Sequence, residues 1–216
     1  MSIILHGYRY SVYSRIARMV LHAKGLTAEW AEIDPFGPLP DDHLALHPFG
    51  KVPALEHGDF AIYETGAICR YLDEAFDGPK LQPKGPIRRA RMAQVIEVAD
   101  NYGYDPLVRQ VYTNAVFSPA KGYEVEHWRI HAGLDASRKV LAALDRLVAP
   151  NSAQNPTLGD LHLAGMIDAF ASAREGAEVL AEYQVLSRWW AVMRENPSVL
   201  ATRDGLLVMA SSDSLS

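Results

Sequence analysis

Several hydroxyl-bearing residues follow the first apolar run of the sequence. Residues 3–5 (Ile-Ile-Leu) predict a short buried strand, and residues 8–15 (Tyr-Arg-Tyr-Ser-Val-Tyr-Ser-Arg) join it to a predicted helix. Where a strand ends and a helix begins, free backbone N–H groups and the helix dipole attract anions. A hydroxyl there can donate a hydrogen bond to a thiolate and lower the pKa of the thiol. The simpler interpretation is that Ser11 or Ser14 only caps the helix.

A second candidate group surrounds Pro53, in the segment 50–54 (Gly-Lys-Val-Pro-Ala). A proline at the start of a strand is sterically compatible with the sheet. If the peptide bond before Pro53 is cis, the N–H and carbonyl of Val52 turn outward and can pair with an extended peptide. The alternative is an ordinary trans proline in a loop, and the sequence alone does not distinguish the two.

The third candidate group is Glu64-Thr65, between the last predicted strand and the next helix. Thr65 is predicted to be the N-cap, where its hydroxyl and the adjacent N–H groups can hold a carboxylate. Glu64 can hold an ammonium group beside it. Together these would match the zwitterionic end of an amino acid, whereas the simpler interpretation is a capping threonine next to a surface glutamate.

The elements that must position these residues alternate between strand and helix. A helical stripe, Ile16-Met19-Val20-Ala23, ends at Gly25, and residues 30–33 can form a second strand, which predicts a parallel βαβ unit. A proline-rich stretch follows, which we interpret as irregular. The runs 52–56 and 60–63 then flank a Gly-Asp turn and predict an antiparallel hairpin, followed by a helix.

The segment 77–86 predicts a linker, because it holds three prolines and two glycines in ten residues. Beyond it the periodicity becomes helical, with a capping motif at residues 157–160 and a helix stopped by Asn196-Pro197. We therefore expect a domain at 1–78, a linker at 79–86 and an all-helical domain at 87–216. The polar tail 211–216 is expected to fray.

Composition limits the possible functions. The chain has 216 residues, 49% of them hydrophobic, and a formal net charge of −5, which is typical of a globular protein and argues against nucleic acid binding. No signal peptide or membrane span is evident. The single cysteine, Cys69, excludes an intramolecular disulfide and is expected to pack as a small hydrophobic residue. A cytoplasmic setting fits best.

Residues 47–56 (His-Pro-Phe-Gly-Lys-Val-Pro-Ala-Leu-Glu), with 64–68 and 70–72, closely resemble soluble glutathione transferases. The serine-type phi and theta classes and their bacterial relatives are the most similar. Residues 157–160 resemble the family's capping motif. The resemblance implies an N-terminal thioredoxin-like βαβαββα domain followed by an all-helical C-terminal domain, and a homodimer.

The resemblance also implies the site residues for glutathione. Ser11 would activate the thiol, although Tyr8, Tyr10, Tyr13 and Ser14 are alternatives nearby. A cis Pro53 and the backbone of Val52 would hold the cysteinyl unit, Glu64 and Thr65 the γ-glutamyl end, and Lys51 the glycine carboxylate. The basic residues that the family carries before this segment are missing from the acidic stretch 38–42, and His43 or His47 is the possible substitute.

The implied reaction is attack of the glutathione thiolate on a small, hydrophobic electrophile, with no metal and no cofactor other than glutathione as co-substrate. Residues expected to line the electrophile site are Tyr10, Tyr102, Arg109 and Tyr112. The same thiolate would serve an isomerase, a dehalogenase or a peroxidase. A ligand carrier or interaction module with the same fold is the alternative outside enzymology, and the sequence does not name the electrophile.

Overall fold

The computed structural model describes residues 2–149 and 151–207. Its N-terminal part is a four-stranded mixed sheet of β1 (Ile3–Gly7), β2 (Glu29–Glu32), β3 (Ala54–His57) and β4 (Phe60–Tyr63). The strand order is β2-β1-β3-β4, with β2 parallel to β1 and the two other pairs antiparallel. Leu5 at the centre of β1 pairs with Trp30 on one side and Leu55 on the other. This arrangement confirms the predicted thioredoxin-like class.

Three helices belong to this part: α1 (Val12–Lys24), α2 (Asp41–Leu46) and α3 (Thr65–Ala75). The predicted apolar stripe of α1 is buried, with Ile16, Met19 and Val20 fully enclosed. Gly25 ends α1 at a φ of 68°, and its N–H bonds to helix carbonyls. This left-handed conformation favours glycine, as the sequence predicted.

The structure corrects three local predictions. The proline-rich stretch interpreted as irregular contains α2, and β3 begins at Ala54 rather than at residue 52. Thr65 is not the N-cap of α3 but its first helical residue. The cap position is Glu64, at a φ of 72° and without a capping side-chain hydrogen bond. The prediction relied only on the hydroxyl of Thr65 and therefore placed the cap one residue too late.

The rest of the described chain is helical, as predicted. Helix α4 (Pro86–Val98) continues into a π-helical segment (Ala99–Phe117) and a last turn, α5 (Ser118–Ala120). The remaining helices are α6 (His127–Leu147), α7 (Leu158–Ser172), α8 (Arg174–Leu180), α9 (Gln184–Met193) and α10 (Pro197–Leu200). The predicted capping box at the start of α7 is present, while the tail 211–216 lies outside the described residues.

No helix in the described ranges has both the length and the apolar character needed to cross a bilayer. The most apolar helix, α7, is instead the centre of the helical part, where nearly all its residues are buried. Its capping carboxylate, Asp160, also accepts a hydrogen bond of 2.8 Å from the indole of Trp189, which ties α9 to α7.

Helices α1 and α7 join the two parts of the molecule at close range. A Cβ at Gly165 of α7 would lie 2.6 Å from Cγ1 of Ile16, so a larger residue would force the helices apart. One turn along, the buried guanidinium of Arg15 donates to Oδ2 of Asp168 at 2.7 Å and to the carbonyl of Val199 at 3.2 Å. Arg203 donates to the same carboxylate. We call this group the α1–α7 clasp.

The clasp is expected to be a main source of stability. Asp168→Asn leaves the Arg15 guanidinium buried without its counter-ion and should lower the free energy of unfolding by about 3 kcal/mol. The matched control, Asp204→Asn, removes the exposed partner of Arg18 and should cost less than about 1 kcal/mol. Urea denaturation measures both, and equal losses would contradict this account of the clasp.

Candidate functional site

A groove of about 310 Å³ lies between the two parts of the molecule, at the start of α1. Seven of its sixteen lining residues are aromatic, and they come from both parts. The first part contributes residues near α1, near residue 35 and before β3, and the second contributes one face of the π-helical segment. Its lining residues are Tyr8, Tyr10, Ser11, Val12, Tyr13, Pro35, Phe36, Gly50, Lys51, Val52, Tyr104, Val108, Arg109, Tyr112, Thr113 and Phe117.

Ser11 is the N-cap of α1 and faces this groove. Its Oγ accepts a hydrogen bond of 3.2 Å from the N–H of Ser14. Because this bond uses a lone pair of the oxygen, the hydroxyl proton of Ser11 remains free to be donated. The helix dipole adds positive potential at the same point. Ser11 thus both caps the helix, as the simpler interpretation held, and offers a donor to an anion.

Of the neighbouring hydroxyls, Ser14 does not line the groove, whereas Tyr8 and Tyr13 line it and stay alternatives to Ser11 as donors to a thiolate. Ser14 is buried, and its Oγ accepts from the N–H of Tyr8 at 3.3 Å. Burial raises the pKa of Tyr8, with Asp34 adding to the effect. Burial, reinforced by the negative charge of Asp100, raises the pKa of Tyr13 well above its ordinary value. Tyr8 and Tyr13 therefore remain neutral phenols over the physiological pH range.

A smaller, polar pocket of about 180 Å³ adjoins the groove and shares Tyr13, Lys51 and Val52 with it. Its remaining lining residues are His47, Pro53, Glu64, Thr65, Gly66 and Asp100. The structure therefore brings together every residue that the resemblance assigned to the tripeptide. The peptide bond between Val52 and Pro53 is cis, which confirms that prediction. Within the described ranges the Val52 backbone makes no hydrogen bond.

His43 and His47 are both buried beneath the loop that carries Lys51. The Nε2–H of His43 donates to the carbonyl of Lys51 at 3.0 Å, which fixes the backbone before the cis bond. His47 lines the polar pocket, and burial lowers its pKa. His43 therefore holds the loop from behind, whereas only His47 reaches the pocket.

Asp100 is a pocket residue that the sequence analysis missed. It is the second residue of the π-helical segment, and it lines the polar pocket together with Glu64. The Nε2–H of His162 donates to its Oδ1 at 2.7 Å. The helical part thus contributes a carboxylate to a pocket otherwise built from the first part. No signal in the sequence links Asp100 to Glu64, because the two meet only when the parts pack together.

The residues predicted for the electrophile site divide into two groups. Tyr10, Arg109 and Tyr112 line the groove, as expected. Tyr102 does not, because it is 68% exposed on another face of the helix, and Tyr104 occupies the groove instead. The sequence could not show which face of this helical segment lines the groove, because that depends on its packing against the first part of the molecule.

A larger cleft, about 570 Å³, lies on the other side of α1 beside β2. Its charged residues are partly paired with each other, as in the 2.8 Å contact between Arg18 and Asp204. Among its described lining residues none is the N-cap of an α-helix, so its size alone does not make it the better candidate. Cys69 lines neither the groove nor the polar pocket. It is buried in α3, and burial raises its pKa to about 12.

Comparison with known proteins supports the same interpretation. Residues 5–80 match the sequence family described as "Glutathione S-transferase, N-terminal domain". The chain is 32% identical over 163 residues to glutathione S-transferase 1 of Zea mays. The aligned region covers 73% of this chain and 74% of that protein. It is 38% identical over 95 residues to glutathione S-transferase omega-2 of Mus musculus, covering 44% of this chain and only 38% of that protein.

Solved structures of the same kind resemble the whole described fold. Glutathione S-transferase I from maize, in complex with an atrazine glutathione conjugate, superimposes with a TM-score of 0.77 at 25% identity. The match covers 95% of this chain and 98% of that one. The similarity therefore extends over both the sheet and the helical part.

The buried state of Cys69 gives a test of its inertness. At pH 8 the folded protein should react with iodoacetamide at least about 100-fold more slowly than the urea-unfolded chain, because almost no thiolate forms at a pKa of about 12. Mass spectrometry follows the labelling over time. Labelling of the folded protein as fast as that of the unfolded chain would contradict the assignment of Cys69 as an inert, buried residue.

Proposed function

The chain belongs to the glutathione S-transferase family, and on that premise we propose that it conjugates glutathione to small electrophiles in the groove at Ser11. The observation that carries the assignment of the residue is the hydrogen bond from the Ser14 N–H to the Ser11 hydroxyl. Because the Ser11 oxygen is the acceptor in this bond, its proton is free to be donated to the sulfur of a glutathione bound in the groove. The same helix start stabilises negative charge.

Glutathione fits the polar pocket and the adjoining end of the groove. Thr65 and the first N–H groups of α3 bind the γ-glutamyl carboxylate, while Glu64 binds the ammonium group beside it. The free N–H and carbonyl of Val52 pair with the cysteinyl unit. Lys51, which lines both cavities, binds the glycine carboxylate. This placement directs the thiol toward Ser11.

The reaction follows from this placement. The thiol loses its proton to solvent, and the Ser11 hydroxyl donates a hydrogen bond to the resulting thiolate, which lowers the thiol pKa. The thiolate forms a sulfur–carbon bond with the electrophile, and a leaving group departs with the bonding electrons of its own bond. Proximity in the groove supplies the rest of the acceleration. Glutathione is the co-substrate, and no other cofactor is assigned a step.

We also propose that residues 79–86 divide two domains, that the protein is cytoplasmic and that it forms a homodimer. Residues 76–85 form neither helix nor strand, which supports the linker. The dimer is supported by exposed apolar residues on or beside the outer strand β4 and at the start of α4. Phe60 lies on β4, Phe49 packs 6.2 Å from Tyr63, and Ile87 is 84% exposed. Detoxification is the role that such chemistry serves most simply.

Ser11→Ala should lower kcat for conjugation of 1-chloro-2,4-dinitrobenzene by roughly 100-fold, because the thiolate loses its hydrogen-bond donor. The apparent pKa of the acidic limb of the pH–rate profile, where activity rises as the thiol ionises, should move upward at the same time, toward the pKa of a free thiol. Stopped-flow and steady-state kinetics measure both. Ser14→Ala is the matched control, since Ser14 is buried and does not line the groove. An equal loss in both variants would contradict the role of Ser11.

Phe49→Ser should raise the dissociation constant of the proposed dimer by at least about tenfold, because an exposed aromatic anchor is removed from the interface. Sedimentation equilibrium measures this constant. Val192→Ser, a similar loss of exposed apolar surface on α9, is the control and should leave it unchanged. A monomeric wild-type protein at micromolar concentration would reject the dimer.

A further inference from the structure

The groove at Ser11 is lined by cations rather than by carboxylates. Among the described residues that line the groove, none is an aspartate or glutamate, whereas Lys51 and Arg109 are both present. The chain as a whole carries 26 acidic and 21 basic residues. The local charge of the groove is therefore opposite to the net charge of the protein.

Two cations lie against the faces of groove tyrosines. The Nζ of Lys121 is 3.9 Å from the ring centroid of Tyr10, and the guanidinium carbon of Arg109 is 5.9 Å from that of Tyr104. Within residues 2–149 and 151–207, neither cation forms an ion pair with a carboxylate, unlike Arg15. Both are therefore available to an anionic group of a ligand.

Tyr10 shows the effect of this positive field on a neighbouring group. The Lys121 ammonium lowers the pKa of the Tyr10 hydroxyl, and the guanidinium of Arg9 lies 5.5 Å from the same ring. Negative charge next to Tyr10 is thus stabilised by the protein. A negatively charged ligand group in the same place would gain from the same cations.

The aromatic side chains beside these cations favour the binding of a ligand with a flat ring. Tyr10 makes edge-to-face contacts with Tyr8 at 5.4 Å and with Phe117 at 5.7 Å between ring centroids. Tyr104 and Tyr13 pack at 4.8 Å on the other side. Aromatic surfaces arranged in this way bind a planar ligand well.

We propose that the preferred second substrate is a planar aromatic electrophile that carries a negative charge, with Arg109 and Lys121 binding the charged group. Lys51 is already assigned to glutathione, so it does not compete for this group. The inference rests on the proposed conjugation activity and names its substrate class. For an aryl halide, the glutathione sulfur bonds to the ring carbon, halide leaves with the electron pair of the broken bond, and the charged group is unchanged.

A matched pair of electrophiles tests this charge preference. 4-Chloro-3-nitrobenzoate and 4-chloro-3-nitrobenzamide have nearly the same shape and the same leaving group but differ in charge. The kcat/KM for the benzoate is divided by the kcat/KM for the benzamide. This ratio is then divided by the same ratio of the uncatalysed rates with glutathione. The normalised ratio isolates the contribution of the protein. We expect this normalised ratio to be above roughly 5 in the wild type, and to fall as salt concentration rises.

Arg109→Gln and Lys121→Gln should each lower the normalised ratio by roughly threefold, and the double variant should bring it close to 1. The control is Lys139→Gln, which removes an exposed cation on α6 outside the groove and should keep the wild-type ratio. A wild-type ratio of 1 or below, or a ratio that the Arg109 and Lys121 variants do not change, would overturn the inference. Turnover of the benzamide would still support the proposed function in that case. If neither electrophile is turned over and glutathione does not bind, the proposed function itself is contradicted.

Discussion

Helix α1 lies between the sheet and α7, and it packs so closely against α7 that position 165 has room only for glycine. The buried clasp of Arg15 and Asp168 fixes its rotation and its position along its axis. Because Ser11 begins this helix, the clasp also determines where the Ser11 hydroxyl lies relative to the groove. The active-site geometry thus depends on a contact between the two parts, about one turn away from the reacting atoms.

This constraint explains why the candidate site lies at the boundary between the two parts. The first part supplies the helix start and the cis Val52–Pro53 bond, and the second adds Asp100 and the aromatic wall. The phenols of Tyr8 and Tyr13 stay protonated because burial raises their pKa values. The groove therefore offers neutral donors and cations, which stabilise anions such as a thiolate.

The sequence was sufficient for the features set by local pattern or by a contiguous motif. It predicted the stripe of α1, the Gly25 stop, the capping box of α7 and the segment around Pro53. It missed the cap position of α3, since the left-handed conformation of Glu64 has no simple residue signature. It also missed Asp100 and chose Tyr102 instead of Tyr104, because only the packing of the two parts decides which helical face lines the groove.

The central claim is that the start of α1 stabilises the thiolate of bound glutathione. The most direct measurement is a pH titration of the thiolate absorbance near 240 nm in the binary complex of the wild-type protein with glutathione. The account predicts an apparent thiol pKa below about 7, compared with about 8.5 for a free cysteine thiol. A bound thiol that titrates at or above the free value would contradict the account.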